Sequence, residues 1–104
     1  MGQEKKVVET TIQIIRETTE LFYQQKVKEA YAKMQETIDN ILKAVDVLHE
    51  YMVKNEGFGL EEERLVTSLT DAMNAMQAGD TVLLADILEY DFVEYLQELV
   101  VQMD

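Results

Sequence analysis

The sequence contains no cysteine and no proline, and only one histidine and one serine among 104 residues. Without cysteine there are no disulfides and no thiolate metal sites, a composition compatible with a reducing cytoplasm. With no proline, local punctuation rests on four glycines: Gly2, Gly57, Gly59 and Gly79. Long apolar runs are also missing. The longest is Val82 to Ala85, far short of a membrane span. The N-terminus, Met1-Gly2-Gln3-Glu4-Lys5-Lys6, lacks the apolar region of a signal peptide. A soluble, intracellular, cytoplasmic protein is the expectation.

Base is scarce. Twenty-one acids face nine bases, a formal net charge of −12, and the last base is Arg64. The residues from Leu65 onward carry eight acids and neither Lys nor Arg, so −8 of the charge lies there and −4 in the first sixty-four residues. A nucleic-acid binder needs a basic footprint to neutralise phosphates, and this surface would repel them. Anionic membranes are disfavoured for the same reason. A basic protein partner is permitted, beside the plainer reading that the acids keep the domain soluble.

What is present is helical periodicity. Val27, Tyr31, Met34, Ile38, Ile41, Val45, Leu48 and Met52 recur in alternating steps of four and three, which keeps one stripe towards a partner helix. Val7/Val8, Thr11, Ile14/Ile15, Thr18 and Leu21/Phe22 repeat it in a segment whose threonine and β-branched content calls for tertiary packing. Leu65, Leu69, Ala72/Met73 and Met76 form a third stripe. Leu84, Leu88, Phe92, Tyr95, Leu99 and Met103 form a fourth. The methionines on these stripes read as core fillers rather than as a promiscuous groove.

Glu61-Glu62-Glu63 suits the positive end of a helix, Gly79 a left-handed helix terminus and Asp80 an N-cap. The first break is less marked and is placed near Tyr23-Gln24-Gln25, a single long helix from Val7 to Met52 being the alternative. At an offset of 54 the halves align, Met34 with Leu88, Ile38 with Phe92 and Gln25 with Gly79, which supports two helical hairpins in series. The expectation is one all-α domain over residues 1–104, with helices at 4–22, 26–54, 60–78 and 81–103. Short connections make it an antiparallel up-down four-helix bundle.

Constellations that could carry chemistry are incomplete. Asp46, His49 and Glu50 resemble half of a di-iron carboxylate site, but the full site needs a second histidine. Asp86, Glu89 and Asp91 read as a solvated acidic surface rather than an acid–base pair. Ser68 has no nucleophile elbow around it, and Gly57-x-Gly59 lacks the rest of a phosphate loop. No catalytic, cofactor-binding or metal-binding residues are assigned, and no cofactor is expected.

The last segment is apolar over about half its circumference when its residues are set at 100° intervals. Either this helix is unusually central, or its Val82/Val93/Val100 edge contacts something else. The candidate interaction surface is Val82, Val93, Leu96 and Val100, expected to serve a homodimer or another protein.

The run Gly79-Asp80-Thr81-Val82-Leu83-Leu84-Ala85-Asp86-Ile87-Leu88-Glu89-Tyr90-Asp91-Phe92 resembles a segment of small uncharacterised helical proteins of Gram-positive bacteria. That resemblance implies no activity. In size and build the chain is also similar to flagellar export chaperones, although it lacks their Asn-Pro-Tyr start. A non-enzymatic protein-interaction or chaperone-like accessory module is the leading expectation. The alternatives are an enzyme whose metal or cofactor site a dimer assembles, and a structural subunit of a larger assembly.

Overall fold

The computed structural model describes residues 2–103. It is all-helical over its regular elements: α1 is Gln3–Tyr23, α2 Val27–Lys54 and α3 Glu62–Ala78. The C-terminal helix is built of three consecutive segments, Thr81–Asp86, a π-helical stretch Ile87–Val93, and Glu94–Gln102. The long dimension is 41 Å, the length about 28 residues of α-helix should have, and α2 has 28. A single helix from Val7 to Met52 is thereby excluded.

The break between α1 and α2 has a specific cause. Lys26 N–H donates to Leu21 O and Gln25 N–H to Phe22 O, both at 2.9 Å, with Gln25 left-handed at φ 63°. This is the Schellman arrangement, which normally places glycine at the left-handed position. The end of α3 repeats it: Asp80 N–H donates to Ala75 O at 3.0 Å and Gly79 N–H to Met76 O at 3.1 Å, with Gly79 at φ 67°. The same turn therefore closes both hairpins, once with glycine and once with glutamine. Asp80 then caps the next helix by accepting from Leu83 N–H at 3.0 Å.

α1 runs antiparallel to α2, with Lys54 beside Glu4 at one end and Phe22 edge-on to Tyr31 at the other. The C-terminal helix lies on another side of α1, and α3 packs against that helix. The connection between α2 and α3 is anchored at three points: Tyr51 meets Phe58 edge-on at 4.7 Å between ring centroids, Gly59 N–H donates to Gln102 Oε1, and Glu61 N–H donates to the Tyr95 hydroxyl.

The buried face of α2 differs from the expected stripe. Ala30, Met34, Thr37, Ile41, Ala44 and Leu48 are buried, whereas Tyr31, Ile38 and Val45 flank them and Val27 is exposed. Small side chains let α1 approach, and larger ones close the seam from the side. Polar atoms enter here too. Thr18 and Thr37 are fully buried with hydroxyl oxygens 2.8 Å apart, and each lies within reach of its own i−4 carbonyl, Ile14 and Lys33. Two hydroxyl protons serve three contacts, so one contact at a time lacks its proton. In α3 the core takes Leu65, Ser68, Ala72 and Ala75, and Met73 is exposed.

The C-terminal helix carries the clearest correction. Leu84, Leu88, Phe92, Tyr95, Leu99 and Met103 are buried as their spacing predicts. Val93 and Leu96, expected on an interaction surface, are 0% and 2% exposed and belong to the core. Val100 is half-buried and Val82 is 68% exposed, so the proposed edge is not continuous. The physical reason is twofold. Glu94 N–H donates back to Glu89 O, five residues earlier, which widens the turn and shifts the register that a uniform helix would keep. In addition, α1 and α3 both cover this helix, so its broad apolar arc is consumed inside the chain.

Candidate functional site

In and beside the π stretch Ile87–Val93, Asp86 and Glu89 face α1 while Asp91 lines a groove against α3. π turns are rare, occur mostly as short interruptions of α-helices and are frequent at functional sites. On the α1 flank, the Tyr23 hydroxyl donates to Asp86 Oδ1 at 2.7 Å. Glu89, half-buried, faces the Thr19 hydroxyl at 3.5 Å and the Arg16 guanidinium at 4.0 Å. Burial, then the hydrogen bond to Asp86, then the charges of Asp86, Tyr90 and Glu89 push the Tyr23 phenol well above its ordinary value. A phenol held in its protonated form is a donor that latches α1 to the C-terminal helix.

The other flank faces α3 and forms an open groove of about 530 Å³. Its apolar lining comes from Ala75 and Ala78 of α3 and from Leu83 and Ile87 of the C-terminal helix. Asp71, Asn74, Asp80 and Asp91 complete it, with no basic residue. Of the three carboxylates, Asp80 is engaged as the helix cap. Asp71 and Asp91 project from opposite walls. Ala75 and Ala78 present only methyl groups to this space, so they leave it open on the α3 side. A second open concavity, about 390 Å³, lies between α1 and the end of the C-terminal helix, lined by Glu9, Ile12, Gln97, Val100 and Val101.

The residues considered for chemistry are dispersed. Asp86 and Glu89 engage α1, while Asp91 belongs to the groove against α3. His49 pairs through Nδ1 with Glu62, joining the end of α2 to the start of α3, rather than forming a site with Asp46 and Glu50. Among the described residues, no group of three His, Cys, Asp or Glu side chains is placed to hold a metal ion. Ser68 is buried within α3. Of the four expected surface residues, Val82 is exposed beside Leu83 of the groove, Val100 lines the second concavity, and Val93 and Leu96 reach neither. Sequence reasoning missed the groove because alanine spacing on α3 signals close packing and does not reveal a concavity.

Over residues 1–101 the sequence matches the family described as a domain of unknown function, DUF8042. The chain belongs to this family. No curated protein and no solved structure matches it. The DUF8042 match spans α1, α2, α3 and nearly all of the C-terminal helix, so both grooves and the π stretch lie inside it. The run Gly79–Phe92, which carries the resemblance to small helical proteins, also falls within it. Among the described residues, no helix is long and apolar enough to cross a membrane.

Proposed function

We propose that this DUF8042 chain is a non-enzymatic protein-interaction module, a chaperone-like accessory protein of the bacterial cytoplasm. Its four helices are read as an up-down bundle in which α1 and the C-terminal helix are the inner pair. What carries the interaction reading is the groove between α3 and the C-terminal helix. It is open, Ala75, Ala78, Leu83 and Ile87 give it an apolar surface, and Leu83 stands half-exposed on its wall. Apolar surface grouped in a concavity with a polar rim is the usual form of a protein-binding patch.

The reading is tested by placing a photo-crosslinking amino acid at Leu83 and, separately, at the exposed Leu42 of α2, in cells that produce the protein. A discrete crosslinked protein is expected from position 83 and not from position 42. Equal background at both positions would refute it. Self-association is a second reading, favoured by Val101, which is 76% exposed beside Val100 in the second concavity. Concentration-dependent mass by light scattering that Val101→Glu abolishes is the result expected of it.

A further inference from the structure

We propose that the groove between α3 and the C-terminal helix docks a basic segment of a partner protein, seating the aliphatic stem of a lysine or arginine on its apolar lining with the cationic head between Asp71 and Asp91. This rests on the interaction reading above and names the chemistry of the partner.

Three features meet at this groove. Its apolar lining pairs short side chains on α3, Ala75 and Ala78, with the longer Leu83 and Ile87 of the C-terminal helix. Its charged residues are all carboxylates, and neither Asp71 nor Asp91 has a hydrogen bond or an ion pair among the described residues. From Leu65 onward the sequence carries no Lys or Arg that could neutralise them. Lysine and arginine match this combination, because each has an apolar stem that packs on hydrocarbon and a charged head that stays at a wet rim. An anionic or purely apolar occupant would leave the rim carboxylates facing like charge or desolvated without a partner. A second copy of the chain is disfavoured at this groove, because its all-acidic charged lining would face a molecule of net charge −12. Its most suitable segment, the exposed Lys26-Val27-Lys28, remains an outcome to be tested.

The test uses the full chain, labelled with ¹⁵N, and a synthetic amphipathic peptide of lysine and leucine with neutralised ends. Amide shift changes are expected to concentrate at residues 71–78 and 80–91, with affinity falling as salt rises. Asp71→Asn with Asp91→Asn, which leaves the Asp80 cap intact, should weaken binding about tenfold. Leu83→Ser should weaken it independently, which charge attraction alone would not do. Shift changes spread evenly over the acidic surface, or unchanged affinity in the Asp71/Asp91 variant, would overturn the proposal. So would spermidine producing the same shifts with equal affinity, since that would put a small polycation in the groove. Concentration-dependent mass abolished by Lys26→Glu would assign the groove to a second copy instead. If the peptide fails while crosslinking at Leu83 still captures a partner, the interaction reading stands and only the basic chemistry falls. If the crosslink fails as well, both fall.

Discussion

Replacing Val93 by glutamate separates a core position from a surface position on one helix. Val82 and Val93 are eleven residues apart, roughly three full turns of a regular α-helix, and would share a face if the helix were uniform. Val82 is 68% exposed and Val93 is 0% exposed. At Val93 the substitution removes about 1.5–3 kcal/mol of apolar burial and adds the desolvation of a carboxyl group. A total of about 4 kcal/mol or more is expected, a large share of the roughly 5–15 kcal/mol that stabilises a domain of this size. In urea this moves the midpoint down by about 2 M or more if the slope is near 2 kcal/mol/M. Val82→Glu should change stability by no more than about 0.5 kcal/mol, its charge being welcome in the first turn of a helix. Acidification supplies a second readout. The buried carboxyl of the Val93 variant titrates above its unfolded value, so the folded state binds more protons between the two values, and the deficit should shrink as pH falls from neutral towards about 4. A Val93→Glu protein within about 1 kcal/mol of wild type at neutral pH would refute the placement of Val93 inside the fold.

Gln25→Gly should stabilise by about 0.5–1 kcal/mol with an unchanged denaturant slope, because glycine adopts the left-handed conformation at Gln25 without steric cost. Thr18→Val and Thr37→Val should each cost about 1 kcal/mol, and the double variant less than their sum, since the pair shares two protons among three contacts; additive losses in a double-mutant cycle would count against that account. Tyr23→Phe should cost about 0.5 kcal/mol, discounted because the bond to Asp86 is exposed. Because the folded phenol titrates above its unfolded value, that contribution is fully present below the unfolded value and is lost as pH rises towards the folded one; a wild-type advantage that persists undiminished in strong alkali would contradict it. The Lys33 ammonium, hydrogen-bonded to Glu17 Oε1 at 2.8 Å and helped by Gln13, holds the Glu17 carboxyl below the ordinary carboxylate range. Lys33→Met should raise the Glu17 value in an NMR titration, and the pair's contribution, present above the unfolded Glu value, should be lost as pH falls through the folded one.

Much of the helical layout is legible in the residues. Gly79 and Asp80 announce one turn because glycine tolerates the left-handed conformation and aspartate caps the following helix. Gln25 occupies the equivalent left-handed position without any such signature, so its turn is only weakly marked near Tyr23-Gln24-Gln25, and the 54-residue alignment of the halves supports it by setting Gln25 opposite Gly79. The α2 stripe shows the limit of counting apolar residues. A seam that needs close approach buries Ala30, Thr37 and Ala44 and leaves Tyr31, Ile38 and Val45 on its flanks. Nothing in a hydrophobic scale ranks threonine or alanine above isoleucine there; the distance between two helices does.

Composition and periodicity by themselves determined that the chain is helical, that its acids dominate beyond Arg64, and that Leu84, Leu88, Phe92 and Leu99 face inward. Those properties follow from local chemistry and from a repeat every three or four residues. The tertiary structure alone decided that the C-terminal helix is covered by both α1 and α3, which turned Val93 and Leu96 from candidate surface into core. It also brought Asp71 of α3 and Asp91 of the C-terminal helix to the two walls of one groove. Which faces of an amphipathic helix are satisfied within the chain depends on how many neighbours reach it. That number is a property of the packed assembly of helices, and no single helix encodes it.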